Sequence, residues 1–111
     1  MASRRKEHQE DAKFRVFQII NENPQMTTRE IAQKVGISNG SAYYLLTSLI
    51  DMGFIKLSNF KDSSQKVKYS YLLTPKGIRE KSLVTHKFLV RKKQEYELLK
   101  KEITELEQDM G

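Results

Sequence analysis

The chain of 111 residues contains no cysteine and no tryptophan, and it has two prolines and five glycines. Without cysteine it can form no disulfide framework, no thiolate nucleophile and no cysteine-based zinc site. No apolar run approaches the roughly 18 residues that a membrane-spanning helix needs, and the first residues are not followed by the apolar segment of a signal peptide. We therefore expect a soluble protein of the cytoplasm.

The patterns that typify enzymes and metal proteins are also missing from the sequence. His8 and His86 have no second histidine, cysteine or carboxylate cluster nearby at the spacing of metal ligands. There is no glycine-rich phosphate loop and no nucleophile elbow, and the carboxylates after residue 94 alternate with lysines as on a solvated helix. We predict no catalytic activity, no metal and no other cofactor.

Basic residues are in excess, with 20 lysines and arginines against 14 acidic residues and a net charge of +6. This balance favours a polyanionic partner such as nucleic acid. A hydrophobic content of 38% can fill one modest core. The composition therefore predicts a single small domain, with room for an appended helix.

Two helices separated by a short glycine-containing turn are marked by their end residues. Thr27 and Glu30 have the spacing of a capping box, and Gly36 suits the end of the same helix. Ser38 then fits the N-cap of a second helix that ends at Gly53. A helix of about eight residues, a turn and a longer helix predict a helix-turn-helix.

The second of these helices, over residues 38–53, has two different faces. Ala42, Leu45, Leu46 and Leu49 recur at helical spacing and are expected to face a core. The other face is polar and has no acidic residue, so it can enter the major groove of DNA, whereas duplex RNA has a groove too narrow for a helix. Its predicted DNA-contacting residues are Ser38, Asn39, Gly40, Ser41, Tyr43 and Tyr44, with the alternative that one tyrosine packs on the wing.

The start of the preceding helix is a second predicted contact with DNA. Thr28 and Arg29 lie in its first turn, where the positive end of the helix dipole favours a phosphate.

A β-hairpin follows the helix-turn-helix. Residues 54–60 and 67–73 alternate between apolar and polar side chains, as strands do, and a polar connector joins them. Lys61, Lys66 and Lys68 are predicted to contact the DNA backbone; the alternative is an ordinary solvated turn. The fold class is therefore mainly α with a β-hairpin wing, that is, a winged helix-turn-helix.

A long C-terminal helix begins at Thr74-Pro75, a cap followed by proline at the first helical position. Its apolar residues recur at heptad spacing, although Lys92 interrupts the series. An isolated helix would expose this stripe, so we predict a coiled-coil homodimer. The predicted dimerisation residues are Leu89, Tyr96, Leu99, Ile103, Leu106 and Met110. The alternative, packing on the chain's own wing, is expected for Ile78, Leu83 and Val84.

These predictions divide the chain into three parts. Residues 1–10 are a flexible basic arm, either a solvated tail or an arm for the minor groove. Residues 11–77 form the DNA-binding domain, whose first helix runs from about Asp11 to Asn23 before Pro24. Residues 78–111 form the dimerisation helix, which is basic in its first half and acidic in its second.

Three runs carry a resemblance to a known family: Phe-Arg-Val-Phe-Gln-Ile-Ile-Asn-Glu-Asn-Pro, Thr-Thr-Arg-Glu-Ile-Ala-Gln-Lys-Val-Gly-Ile-Ser and Leu-Leu-Thr-Pro-Lys-Gly. They resemble MarR-type winged-helix transcriptional regulators. Asn59-Phe60, the run from Tyr69 to Gly77, Phe88-Leu89 and Glu95-Tyr96-Glu97 narrow the resemblance to a small bacterial subgroup associated with exopolysaccharide (EPS) biosynthesis loci.

The resemblance implies a homodimer on a pseudo-palindromic operator of double-stranded DNA. It places helix 38–53 in the major groove and the wing, residues 59–68, on the backbone and flanking minor groove. Ser41 and Tyr43 depart from the lysine and asparagine expected of the subgroup, so the base preferences are expected to differ. The chain also lacks the extra N-terminal dimerisation helix of full-length MarR proteins, so we do not expect the small-molecule effector pocket that those proteins build between domains.

A different class of function is a winged-helix adaptor that binds protein without specific DNA binding, since fold does not fix function. The basic hairpin and the acid-free face of helix 38–53 favour DNA.

Overall fold

The computed structural model describes residues 2–61, 63–64 and 66–111, and leaves the side chains of residues 2–7 and 60 undescribed. The described elements follow one another as α1 (Ala2–Glu22), α2 (Thr28–Val35), α3 (Asn39–Asp51), β1 (Ile55–Lys61), β2 (Val67–Leu73) and α4 (Pro75–Met110). This order confirms the predicted winged helix-turn-helix with a long C-terminal helix.

One hydrophobic core joins α1, α2, α3, the hairpin and the first part of α4. Every one of these elements contributes apolar side chains, and several of them are fully buried: Val16, Phe17, Ile20, Ile31, Leu49 and Ile55. Phe17 meets Phe54 edge to face, with ring centroids 6.2 Å apart. Burial of this order is the main favourable term for so small a domain.

The two ends of α2 form as the sequence predicts. The Thr27 hydroxyl accepts from the backbone N–H of Glu30 at 3.1 Å, and the Glu30 carboxylate accepts from the N–H of Thr27 at 3.2 Å. Gly36 ends α2 with φ of 81°, a left-handed conformation that glycine adopts without Cβ strain. Helix α2 is therefore fixed by local chemistry at both ends, and its Gly36 end begins the turn that leads to α3.

The wing is a two-stranded antiparallel sheet whose register runs from Ile55 opposite Leu73 to Lys61 opposite Val67. The backbone N–H of Tyr71 donates to the carbonyl of Pro24 at 2.9 Å. This bond ties the outer side of β2 to the loop between α1 and α2.

The start of α4 is built into the core. The Thr74 hydroxyl accepts from the N–H of Gly77 at 2.9 Å and lies within donating distance of the carbonyls of Gly53, at 2.5 Å, and Phe54, at 3.1 Å. Gly77 is buried, and a Cβ at this position would overlap the Phe54 carbonyl group. A glycine is therefore what allows α4 to begin against the start of the wing.

Further along, α4 packs on α1. Phe14 and Phe88 stack with centroids 4.4 Å apart, and Arg91 forms a hydrogen-bonded ion pair with Asp11. Every residue from 92 to 111 is exposed, and the molecule extends over 68 × 26 × 25 Å. The second half of α4 therefore projects from the body as an uncovered helix.

Two sequence-based predictions are wrong. The first helix does not begin near Asp11, because α1 begins at Ala2 and residues 2–10 are helical. Ile78 and Leu83 do not pack within the chain, since they are 58% and 60% exposed, whereas Val84 is buried in the core. Both differences enlarge the helical surface that is open to a partner.

Candidate nucleic-acid interface

The helix α3 presents the polar face that the sequence predicts. Tyr43 is 67% and Tyr44 75% exposed, whereas the neighbouring Ala42, which faces the core, is fully buried. The acidic residue of α3, Asp51, lies at its C-terminal end. Both tyrosines therefore stand on a face of α3 that has no acidic residue, with room to reach a partner.

The first turn of α3 is held by its cap. The Ser38 hydroxyl accepts from the N–H of Ser41 at 3.0 Å and donates to the Ser41 hydroxyl at 2.9 Å. Asn39 and Gly40 are exposed beside this pair, and a Cβ at Gly40 would meet nothing within 4 Å. This end of the helix thus combines hydrogen-bonding groups with space for close approach.

The start of α2 lies next to the wing, a neighbourhood that sequence reasoning did not predict. The Thr28 and Tyr71 hydroxyl oxygens are 3.0 Å apart and share a hydrogen bond. A cleft of about 610 Å³ opens here, with walls formed by Gln25, Met26, Thr27, Thr28, Glu30, Leu57, Lys68, Tyr69 and Tyr71. Tyr71 therefore positions the wing against the predicted phosphate-contacting end of α2, where Arg29 is exposed.

The predicted wing lysines, Lys61, Lys66 and Lys68, are all exposed. Lys61 ends β1, Lys68 is the second residue of β2, and Lys66 immediately precedes β2. They are brought together at the far end of the hairpin, so the structure places their charge in one protruding element.

The N-terminal part of α1 lies beside the polar face of α3. A groove of about 800 Å³ separates it from α3 and is lined by His8, Gln9, Glu10, Ala12, Lys13, Ile37, Gly40, Ser41, Tyr44, Leu45 and Ser48. Sequence reasoning missed this part of α1 because the first residues are polar and lack an apolar period.

The predicted dimerisation residues form an exposed stripe on α4. Their exposed fractions range from 46% for Ile103 to 91% for Met110, with the four others between these values. Single exposed apolar side chains are common, but a continuous stripe is typical of an interaction surface.

Within the described ranges 2–61, 63–64 and 66–111, no group of three or more histidines, cysteines or carboxylates could hold a metal ion. In the same ranges, no helix has the length and apolar character needed to cross a membrane.

Comparison with known families gives a match to the helix-turn-helix part of the chain. A family model of winged helix-turn-helix DNA-binding domains matches residues 9–56, a span that contains α2, the turn and all of α3. No curated protein sequence matches the chain.

Solved structures share the fold. The chain is similar to a PadR-like transcriptional regulator from Bacillus cereus, with a TM-score of 0.68 and 19% identity over 78% of this chain and 89% of that one. A mutant of S. aureus MepR gives a TM-score of 0.59 and 16% identity over 100% of this chain and 94% of that one.

A third structure contains nucleic acid. The transcriptional repressor CouR, bound to a 23-mer DNA duplex, has a TM-score of 0.50 and 23% identity over 66% of this chain and 50% of that one. Together with the element order, these likenesses show that the protein has a winged helix-turn-helix fold.

Proposed function

We propose that the protein is a sequence-specific, double-stranded DNA-binding transcriptional regulator that acts as a homodimer in the cytoplasm. The observation that carries this proposal is the acid-free, exposed face of α3. Tyr43 and Tyr44 project from it while Leu46 and Leu49 hold the helix on the core. A rigid, polar helix of this kind fits the B-DNA major groove.

In this proposal the first two turns of α3 read the bases. Asn39 can pair with adenine through two hydrogen bonds, and Ser41 can bond a base or a phosphate. Tyr43 and Tyr44 reach base edges or backbone phosphates with their hydroxyl groups. Ser38 caps the helix beside the backbone, and Gly40 permits close approach.

The DNA backbone is held on both sides of α3. Thr28 and Arg29, at the positive end of the α2 dipole, bind one phosphate. Lys61, Lys66 and Lys68 bind the backbone beside the flanking minor groove as point charges. The hydrogen bond between Thr28 and Tyr71 keeps the wing and α2 at a fixed separation, which pre-organises the two contacts.

Homodimerisation would duplicate these contacts on a pseudo-palindromic operator. The exposed stripe of α4, which includes Leu99 and Ile103, would be the subunit interface. Support for the DNA-bound role comes from the repressor CouR, whose similar fold is seen with a DNA duplex. The resemblance of the sequence to the EPS-associated, MarR-type subgroup supports the same role.

A gel-shift titration on duplexes selected from random sequence tests the proposal. Tyr43→Ala should lower affinity for the selected duplex by roughly tenfold to a hundredfold, because a base-edge contact contributes about 1–3 kcal/mol. Lys66→Ala should weaken binding to all duplexes alike and reduce the salt slope by about one. Lys100→Ala, an exposed lysine on α4, is the matched control and should change neither value.

Two outcomes would contradict the proposal. If neither Tyr43→Ala nor Lys66→Ala weakens binding, a protein-binding adaptor is the better interpretation. The affinity should also fall by orders of magnitude between about 50 and 200 mM salt, since several phosphates are neutralised. A flat salt response would exclude this mode of DNA binding.

A further inference from the structure

We propose that two copies of α4 pair in antiparallel orientation about a centre at Gln94. This inference rests on the proposed homodimer and specifies its geometry. The apolar stripe belongs to a longer seam in which steps of four and three residues alternate without a break: Ile78, Ser82, Thr85, Leu89, Lys92, Tyr96, Leu99, Ile103, Leu106 and Met110. Such alternation is the spacing of one coiled-coil interface.

The seam is self-complementary when α4 is turned end over end about Gln94. Each seam residue then faces a seam residue of the second copy: Ile78 faces Met110, Ser82 faces Leu106, Thr85 faces Ile103, Leu89 faces Leu99, and Lys92 faces Tyr96. Ile78, which is 58% exposed, gains an apolar partner. The whole length of α4 takes part in this register.

The charge of α4 favours the antiparallel orientation. Residues 76–93 contain seven basic and one acidic residue, whereas residues 94–111 contain two basic and six acidic residues. An antiparallel pair places each basic half against an acidic half. A parallel pair would place like-charged halves together along the entire helix, which is unfavourable at these short distances.

Lys92 favours the same orientation, because a parallel pair would stack it on Lys92 of the second copy inside the seam. In the antiparallel pair it faces a tyrosine ring instead, against which a lysine stem can pack and its ammonium group can interact. Its Nζ already lies 3.1 Å from the Glu95 carboxylate and 5.2 Å from the Phe88 ring centre. The lysine that interrupts the apolar series is thereby accommodated.

The resulting separation of the two DNA-binding domains suits one face of DNA. Each domain, comprising α1 to α3 and the hairpin, packs on α4 between Gly77 and Arg91, whose midpoint is residue 84. In the proposed register residue 84 lies level with residue 104 of the second copy, a displacement of about 30 Å at 1.5 Å per residue. Half-sites one helical turn apart are separated by about 34–36 Å. Parallel pairing would give no such displacement along α4.

The absence of cysteine makes the orientation directly testable. L89C and L99C chains, one of them enlarged by a tag, are oxidised separately and as a mixture. The antiparallel register predicts a disulfide-linked heterodimer in the mixture and almost none in either single variant. In that register two copies of position 89 lie about 15 Å apart along the helix, beyond the roughly 7 Å limit for a disulfide.

S82C mixed with L106C repeats the test at a second layer, and Q94C, on the outer side of α4, is the control that should stay monomeric on a non-reducing gel. Cross-linking of L89C alone, or no cross-link in either mixture, would overturn the register. Circular dichroism of each variant checks that the chain is folded.

Sedimentation of the unmodified protein separates this inference from the proposed function. A dimer whose L89C variant cross-links with itself would overturn only the antiparallel pairing. A protein that stays monomeric, free and on its selected duplex, would overturn the proposed homodimer as well.

Discussion

The two halves of α4 are parts of one continuous helix but have opposite surroundings. Up to Arg91 the helix is held by Gly77 against the wing and by the Phe88 stack and the Arg91 ion pairs against α1. Beyond Arg91 every residue is exposed. In proteins, packing of an apolar face supplies most of the stability of a helix. The first half is therefore stabilised within the chain, whereas the second half would gain stability from the proposed second copy.

The largest expected effect is on the intramolecular half. Gly77→Ala should lower the free energy of unfolding by about 3 kcal/mol, since overpacking against rigid backbone forces the elements apart. Chemical denaturation followed by circular dichroism measures the change.

Gly40→Ala is the matched control, because a Cβ there meets nothing within 4 Å and alanine favours a helix by up to about 1 kcal/mol. If Gly77→Ala were as well tolerated as Gly40→Ala, the start of α4 would not be held by the wing.

The next effect concerns the second half alone. Ile103→Glu should weaken dimerisation by about 2 kcal/mol or more, roughly thirtyfold in Kd, because an unpaired charge would be buried in the interface. Sedimentation equilibrium measures the dissociation constant.

Thr104→Glu adds the same charge on the neighbouring residue, outside the seam, and should leave the dimer intact. Equal weakening by both substitutions would mean that net charge, and not the seam, governs association.

Local signals in the sequence were sufficient for most of the fold. The capping box of Thr27 and Glu30 and the left-handed Gly36 fix the two ends of α2 through bonds between residues close in sequence. Residue type and spacing are enough to predict bonds of this kind. The helical start of α1 was not predictable in this way, because polar residues show no apolar period. The exposure of Ile78 and Leu83 depends on where α1 lies across α4, which is a tertiary property.

One part of the candidate site could be predicted from the sequence and another part could not. The polar face of α3 follows from helical periodicity, and the structure places Tyr43 and Tyr44 on that exposed face. The pairing of Thr28 with Tyr71 joins residues 43 positions apart. Neither residue type nor spacing could reveal it, since it depends on how the wing docks through Pro24.

A smaller effect is expected at Arg91, where the two halves of α4 meet. Arg91 is 17% exposed in its side chain, pairs with Asp11, and lies 3.8 Å from Glu95. Arg91→Met keeps much of the apolar stem but removes these ion pairs, and should cost about 1 kcal/mol because the pairs are partly solvated. Thermal unfolding at low and high salt measures the loss, which should shrink as salt rises.

Lys93→Met, at an exposed position two residues further on, is the control and should change stability by less than about 0.5 kcal/mol. If the two substitutions had equal effects, the boundary between the supported and unsupported halves would not lie at Arg91.

The smallest expected effect lies in the body itself, at the hydrogen bond between Thr28 and Tyr71. Tyr71→Phe and Thr28→Val each remove one hydroxyl while keeping the shape of the side chain. A hydrogen bond of this kind contributes about 0.5–1.5 kcal/mol, so the double variant should lose less stability than the two single losses added together. Strictly additive losses would mean that the two hydroxyls do not stabilise each other. The wing would then be held by its packing on the core and by the backbone bond of Tyr71 to Pro24, without a side-chain bond to the start of α2.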